Sequence, residues 1–386
     1  MIKMFTAFTE EIDDVEQAVS ELLGQLDLEH KSLTNSLGII HCYSDFVESG
    51  VIKAISKKIP FDTMGSTTIS ASASSGVSQM GLSVTVLTSD DVQFISGISA
   101  PVTDSVDAPL TELYNRISAK FPEKPALLMP FIPFLLHAGG DEFIEKIDAL
   151  SGGIPAFGTL AISNEPDYSR SYTFYNGEFY VDSMALAALV GNVSPEFLSV
   201  SVNEENILKQ KAIITGVNRN ILTTINNMPA IQYLESIGIV KDGDVTGLPA
   251  MPFIIYLEDG SLLIRACIGD AGEGGALILC GAVPVNSTIA LATMGFEDVV
   301  NSTEKKVTEA LAAAKGRGIL MYSCAGRNWS LGMQPMVEHE KVKECLGKGD
   351  TPYHFVYSGG EIFPSRLGDG RIVNHLQNDS LIICIL

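Results

Sequence analysis

One pattern occurs three times in this sequence: an apolar strand, a helix, and a second strand interrupted by glycine beside a small polar or acidic residue. The three copies span residues 37–67, 126–159 and 319–361. Each continues through a polar loop and returns as a further apolar strand, at residues 82–87, 181–190 and 380–386. A glycine that recurs at one point of a repeated unit indicates that the backbone there comes close to another chain segment or to a ligand. Three such points on one scaffold predict a pocket.

The order of strands and helices predicts the fold class. Strands and helices alternate along the chain, but hairpin signals such as Asn176-Gly177 and Asp259-Gly260 interrupt them. This predicts an α/β protein with mixed α+β layers rather than a doubly wound parallel sheet. A chain of 386 residues exceeds what one hydrophobic core usually supports. Because the composition turns polar after Pro195, we expect two domains, residues 1–195 and 196–386.

The segment from Ser66 to Gly76 is rich in serine. It has two interpretations, a mobile loop or an irregular strand with many hydroxyls. Glycine and serine are typical of turns, so the loop is the favoured one. A loop in this place would also suit a lid over a pocket.

Charge and cysteine content exclude several classes of protein. The net charge of −21 disfavours nucleic acid and anionic membrane as partners. No run of 18 apolar residues is present, and the first residues lack the apolar region of a signal peptide. The six cysteines and six histidines are scattered, without the spacing of a metal site. We therefore expect a cytoplasmic protein with reduced thiols, no metal and no cofactor.

Several short strings carry a resemblance to a known family: Gly65-Ser66-Thr67, residues 153–158, Tyr175-Asn176-Gly177-Glu178, Ser323-Cys324-Ala325-Gly326-Arg327, Gly359-Gly360-Glu361-Ile362 and Asn378-Asp379-Ser380. In their order and spacing the chain resembles the FIST family, a two-part sensory module of bacterial signal-transduction proteins. Its first half is similar to the FIST N-terminal domain and its second half to the FIST C-terminal domain. The family usually has cysteine where Ser66 stands and threonine where Ser380 stands.

This resemblance implies a function as well as a fold. It implies that the protein senses a small ligand, with amino acids as the suggested class, and it implies no demonstrated reaction. The sequence contains no recognisable kinase, cyclase, chemotaxis or DNA-binding segment. We therefore expect a separate signalling protein to receive the output.

Arg327 and Glu361 are the leading candidates for ligand contacts. Arg327 follows an apolar strand, and its planar guanidinium can donate two bonds to a carboxylate. Glu361 lies on the next strand of the same unit, and a strand–helix–strand crossover brings such strands close together. Facing each other across a cleft, the two side chains would suit a zwitterion. The alternatives are a surface arginine, an arginine paired with a local acid, or a direct pair between Arg327 and Glu361.

Other residues join these two in the predicted ligand site. Asn378 offers an amide between two strands, although asparagine is also common in turns. The full predicted set is Arg327, Glu361, Cys324, Asn328, Gly359, Gly360, Asn378, Gly65, Ser66 and Gly158.

Two alternative functions remain at this stage. Cys324 beside Arg327 would have a lowered pKa and, with a histidine base, would serve a hydrolase or transferase. The available histidines are His41, His137, His354 and His375. A buried, inert cysteine is the more common case. The third class is an interaction scaffold without a ligand.

Overall fold

The computed structural model describes residues 1–135, 139–165, 167–272, 274–347 and 349–386, and His137 therefore lies outside the described part. The first repeat, unit 1, contains β1 Lys3–Thr9, α1 Val15–Leu26, α2 Leu28–Lys31, β2 Asn35–Cys42, α3 Phe46–Ser49, α4 Val51–Lys58, β3 Thr63–Thr67, β4 Ala71–Ala73, β5 Gly76–Ser78 and β6 Leu82–Ser89. Unit 2 contains β7 Val92–Ile98, α5 Asp107–Ser118, β8 Leu127–Ile132, α6 Gly140–Ser151, β9 Gly158–Leu160, β10 Thr173–Tyr175, β11 Glu178–Tyr180 and β12 Ala185–Gly191.

Unit 3 is longer because an extra sheet is inserted after its first strand. That strand is β13 Glu196–Val200. The inserted elements are β14 Ala212–Asn218, β15 Ile221–Ile225, β16 Met228–Pro229, α7 Ala230–Ser236, β17 Phe253–Tyr256, β18 Leu262–Arg265, β19 Cys267–Asp270, β20 Leu277–Leu279 and β21 Thr288–Leu291. Unit 3 then continues with α8 Phe296–Ala314, β22 Ile319–Cys324, α9 Ala325–Ser330, α10 Pro335–Leu346, β23 Tyr353–Ser358, β24 Glu361–Arg366, β25 Ile372–Gln377 and β26 Leu381–Ile385.

The three units build sheets of the same design. In each, a strand–helix–strand crossover forms a parallel pair: β2 with β3, β8 with β9, and β22 with β23. The returning strand lies antiparallel to the first member of the pair, and the unit's opening strand pairs with the returning strand at the edge. The predicted repeat and the predicted mixed α/β fold class are both confirmed.

Each unit also gives a hairpin to another unit. The sheet of unit 1 ends in β10–β11 from unit 2, and the sheet of unit 2 ends in β24–β25 from unit 3. The sheet of unit 3 is completed by β4–β5 from unit 1. The exchange is cyclic, so strands from both halves of the sequence share two of these sheets. The predicted boundary at residue 195 falls between units 2 and 3, and as a domain boundary it stays a prediction.

The serine-rich segment is the clearest departure from expectation. Ala71–Ala73 and Gly76–Ser78 form the exchanged hairpin β4–β5, and β4 pairs with β23. The preference for a loop or lid was therefore wrong over these residues. Two of the segment's hydroxyls bind another element: Ser70 and Ser72 hydrogen-bond the two ring nitrogens of His339, each at 2.8 Å.

Local sequence explains individual elements. Asn176 and Gly177 have φ values of 50° and 82°, the left-handed geometry of a type I′ turn between β10 and β11. The buried residues of α1 recur at helical spacing, namely Ala18, Val19, Leu22 and Leu26. The Asp14 side chain caps this helix by accepting from the Gln17 N–H. Each element thus follows from turn chemistry or apolar periodicity.

The largest core lies where the three repeated sheets meet. Ile39, Met129 and Tyr322, one from each unit, belong to one buried apolar cluster. The rings of His41 and His354 are buried there and hydrogen-bond at 3.0 Å. Among the described helices, none is long and apolar enough to cross a membrane.

Candidate functional site

Three connections of unit 3 meet at the predicted site. Strand β22 ends at Cys324 and α9 follows, β24 begins at Glu361, and Asp379 precedes β26. The Cys324 N–H donates to the Ser380 carbonyl at 2.9 Å, which ties two of the connections together. We refer to the buried side chains gathered here as the polar cluster: Cys324, Arg327, Asn328, Glu361, Asn378 and Asp379.

Arg327 is fully buried and pairs with Glu338 of α10. Its Nε and Nη2 lie 3.1 and 2.9 Å from Glu338 Oε1. Of the alternatives considered for this arginine, the structure shows pairing with a local acid. The surface position and the direct pair with Glu361 are both contradicted.

Glu338 also binds other parts of unit 3. Its Oε2 accepts from the Ser323 hydroxyl at 2.9 Å and from the Tyr357 hydroxyl at 2.8 Å, and its Oε1 accepts from Thr303 at 2.7 Å. One carboxylate therefore joins α8, α9, β22 and β23. A buried charge with this many partners holds the helices in fixed positions against the sheet.

Glu361 is fully buried, and the Ser380 hydroxyl is hydrogen-bonded to one of its carboxyl oxygens. The Ser380 hydroxyl donates to its Oε2 at 2.8 Å, while its Oε1 has no partner among the described residues. Burial raises the pKa of this carboxyl well above its ordinary value, against the lowering effect of Ser380. Burial therefore favours the protonated form of Glu361, which can donate as well as accept a hydrogen bond.

Asp379 occupies a constrained position beside α9. Its backbone is left-handed, with φ of 52°, and a Cβ placed on Gly326 would overlap its Oδ1. Both carboxyl oxygens are buried without a partner among the residues that the structure describes. Burial raises the pKa of Asp379 to about 7, while the charge of Arg327 lowers it. The carboxyl is thus close to half ionised at neutral pH.

Three more polar atoms of the cluster are buried and unsatisfied within the described chain: Arg327 Nη1, Asn328 Oδ1 and Asn378 Nδ2. The Asn378 backbone N–H donates to the Ile264 carbonyl at 3.1 Å, and its side-chain oxygen accepts from Ala266 N at 3.4 Å. Native structures leave few buried polar groups unsatisfied, so such a concentration indicates bound water or a ligand. The unsatisfied atoms comprise both donors and acceptors.

Cys324 is a buried thiol. Its Sγ accepts from the Gly326 N–H at 3.4 Å, and burial together with Glu361 and Asp379 raises its pKa well above the ordinary value. The lowered pKa on which the enzyme alternative depends is therefore contradicted, because the Arg327 guanidinium is paired with Glu338 while burial and two carboxyls raise the pKa of the thiol. Among the described histidines, none hydrogen-bonds this sulfur, and His354 bonds His41 and Thr85 instead.

The glycines of the repeat lie against other chain segments. A Cβ on Gly65 would overlap the Ile40 carbonyl, and one on Gly158 would overlap the Pro130 carbonyl. Of the two interpretations of the repeated glycine, close approach to the chain itself therefore applies at both positions. Gly65 pairs with Phe174, whereas Gly158 pairs with Ile362, next to Glu361. Ser66 is buried, and its hydroxyl has no partner in the described chain.

Gly359 and Gly360 connect the polar cluster to a cavity. The cavity has a volume of about 320 Å³ and lies between the inserted sheet and unit 2, with Leu160, Cys280 and Gly359 in its lining. Burial raises the pKa of Cys280, a residue of the cavity lining, and the carboxyls of Asp379 and Glu361 raise it further. Tyr168 is likewise close to both Cys280 and Cys324.

Sequence reasoning missed several residues of this region. Asp379 and Ser380 lay within a recognised string, but only Asn378 was selected from it. Glu338, Cys280 and Tyr168 had no local signal, since each comes from a different part of the chain. In the described part, no group of three or more His, Cys, Asp or Glu side chains could hold a metal ion.

Comparison with known families gives two adjacent matches. The FIST N domain matches residues 36–228 and the FIST C domain matches residues 230–364. The chain belongs to the FIST family. FIST domains are associated with sensing in signal transduction. The polar cluster lies partly in the FIST C match and partly in the residues that follow it. A search of curated proteins found no significant match.

Proposed function

We propose that this FIST protein is a sensor that binds a small polar metabolite, such as an amino acid, at the polar cluster. The observation that supports this most directly is the set of unsatisfied buried atoms on five neighbouring side chains. Arg327 Nη1 and Asn378 Nδ2 would donate to a carboxylate. Asp379 and Glu361 would accept from an ammonium group. A zwitterion supplies both halves of this arrangement.

The role of Arg327 in this proposal differs from the initial hypothesis. Its charge is matched by Glu338, so it offers the two N–H groups of Nη1 rather than an uncompensated cation. The net electrostatic preference of the cluster then comes from Asp379. A bound ammonium would stabilise the ionised form of this carboxyl, whose pKa is about 7 in the free protein.

The geometry favours this binding function over thiol catalysis. A nucleophilic cysteine needs a thiolate and a positioned base, whereas burial and the nearby carboxyls of Glu361 and Asp379 raise the pKa of Cys324. We further propose that the protein acts in the bacterial cytoplasm and passes its signal to a separate protein. All six cysteines are unpaired, as is usual in a reducing compartment.

A thermal-shift screen against amino acids, organic acids and nucleotides tests the proposal. A ligand present at 100 times its Kd stabilises the fold by about 2.7 kcal/mol, which shifts the melting temperature visibly. Stabilisation confined to amino acids is the expected result. Stabilisation by no member of the panel would instead favour the scaffold function.

Calorimetric titration of variants then locates the site. Glu361→Ala and Asn378→Ala should each weaken the binding of an identified ligand by about tenfold or more, because each removes the side-chain group that would hydrogen-bond the ligand. Glu340→Gln, an exposed position on α10, is the control. Unchanged affinity in both cluster variants would place the site elsewhere. Rapid alkylation of Cys324 by iodoacetamide at neutral pH, relative to the other cysteines, would restore the enzyme alternative.

A further inference from the structure

A second concave surface lies along β1, the edge strand of the unit 1 sheet. The groove has a volume of about 780 Å³. It is lined by consecutive residues 1–6 and by residues 73–77, 315–318, 343, 346–347 and 349–353. We call it the β1 groove. A strand contributes consecutive residues to a groove when its edge, rather than one face, borders the open space.

The hydrogen bonds of Phe8 show which backbone groups face this edge. The Phe8 N–H donates to Gln25 Oε1 and its carbonyl accepts from Gln25 Nε2, both at 2.8 Å. Phe8 therefore directs its backbone away from its partner strand β6. In an antiparallel pair this orientation alternates, so Met4 and Thr6 face the same side. The N–H groups of Met4 and Thr6 have no hydrogen-bond acceptor, from backbone or side chain, among the described residues outside the β1–β6 pair.

The charge of the lining is the reverse of that of the whole chain. The protein has 46 acidic and 25 basic residues, yet the described lining of the β1 groove contains one acidic side chain, Asp350. Its basic side chains are Lys3, Lys315, Arg317 and Lys343. Arg317 pairs with Glu196 at the rim, whereas no ion pair within the described residues includes the three lysines. A cationic groove on an anionic protein attracts an acidic segment and repels most of the protein's own surface.

The other two units show that an open groove is not a necessary result of the fold. In unit 2 side chains bridge the corresponding space between β7 and β10. The Ser96 hydroxyl of β7 donates to Asp62 at 2.6 Å, and the Tyr175 hydroxyl of β10 donates to the same carboxylate. In unit 3 the space between β13 and β24–β25 has a volume of about 340 Å³ and is lined by one arginine and one aspartate. The β1 groove combines greater size, a free strand edge and positive charge.

We propose that the β1 groove binds an extended acidic segment of a partner protein, which adds to the sheet of unit 1 beside β1. The backbone of Met4 and Thr6 would supply the hydrogen bonds, and the lysines would select acidic side chains. This surface is separate from the polar cluster, so it would connect the sensor to the protein that receives its signal.

Fluorescence anisotropy with two synthetic peptide pools tests this proposal on the full chain. One pool contains eight-residue peptides that alternate Asp or Glu with Val, Ile or Thr, and the other substitutes Lys for the acids. We expect binding of the acidic pool alone. Lys315→Glu combined with Lys343→Glu should weaken it by about tenfold or more. The control is Lys209→Glu with Lys241→Glu, an equal charge change at exposed positions outside the groove.

Amide hydrogen exchange separates strand addition from simple charge attraction. Bound peptide should slow exchange at the amides of Met4 and Thr6, for which the described chain supplies no hydrogen-bond acceptor. The proposal is overturned if neither pool binds, if the charge reversal has no effect, or if these amides stay unprotected with peptide bound. Protection that increases with protein concentration, without peptide, would identify a second copy of the chain as the occupant and would also overturn it.

Discussion

Gly326 and Asp379 fit together only because residue 326 has no side chain. A Cβ at this position would overlap Asp379 Oδ1 and lie 3.0 Å from Asp379 Cγ. The glycine thus fixes the position of a carboxyl whose two oxygens are both unsatisfied within the described chain. The first turn of α9 and the connection before β26 are thereby held in van der Waals contact.

Gly326→Ala should therefore destabilise the protein by about 2–4 kcal/mol, because either α9 or Asp379 must move. The control is Gly24→Ala on α1, where an added Cβ would meet nothing within 4 Å. That substitution should stabilise the helix by about 0.5–1 kcal/mol. Urea unfolding of the two variants measures both effects. A loss at Gly326 smaller than about 0.5 kcal/mol would show that the fit is not a constraint.

The buried pair of Arg327 and Glu338 should be far more sensitive to truncation than surface acids on the same helix. Glu338→Ala leaves a buried guanidinium without its counter-ion and should cost about 3–5 kcal/mol. Glu340→Ala, two residues along α10 and exposed, should change the free energy of unfolding by less than about 0.5 kcal/mol. Denaturant titration provides the comparison. Similar losses in both variants would contradict the structural role of the pair.

Much of the fold could be predicted from the sequence, because the repeated unit is defined by local signals. The parallel pairs follow from strand–helix–strand order, and the β10–β11 hairpin follows from Asn176-Gly177. The exchange of hairpins between units could not be predicted in this way. Short polar strands such as Ala71–Ala73 carry no local information about which sheet they join, and serine is equally typical of turns.

The site shows the same division between local and long-range information. Cys324, Arg327, Asn328, Glu361 and Asn378 were selected at strand ends, and the structure brings them into one buried region. The partner of Arg327 was missed because it depends on how α10 packs against α9. Glu338 is 11 residues further along the chain, beyond a turn, and nothing in that spacing distinguishes it from neighbouring acids.

Asp379 should make stability depend on pH near neutrality. Its folded-state pKa of about 7 is above the ordinary 3.8, so its contribution to stability is complete at low pH and is lost as the pH rises through 7. This difference corresponds to roughly 4 kcal/mol. Asp379→Asn removes the titrating group, and asparagine suits the left-handed backbone. The free energy of unfolding of the variant should therefore rise relative to that of the wild type as the pH rises from 4 to 8.

The measurement is the free energy of unfolding of both proteins at several pH values in this range. Asp104→Asn, at an exposed carboxyl, is the control, and its free energy of unfolding should depend on pH in the same way as that of the wild type. A constant difference between Asp379→Asn and the wild type would mean that Asp379 is ionised throughout and has an unseen partner.

His339 should produce the opposite dependence at lower pH. Burial lowers its pKa to about 3, so the folded protein keeps the ring neutral where the unfolded chain binds a proton. Stability from this group is complete above about pH 6.5 and falls by up to about 1.4 kcal/mol per pH unit on acidification toward pH 3. Loss of the ring's bonds to Ser70 and Ser72 also makes His339→Gln less stable at pH 7.

Comparison of His339→Gln with the wild type isolates this effect, because the contributions of Asp379 and Glu361 are common to both proteins. The deficit of the variant should shrink steadily between pH 6 and pH 4 in denaturant titrations. The exposed His30→Gln variant should stay within about 0.5 kcal/mol of the wild type throughout. A deficit at position 339 that stays constant with pH would mean that the ring is already protonated in the fold. In that case Ser70 and Ser72 would both accept from an imidazolium, and the exchanged hairpin would be held by a buried charge.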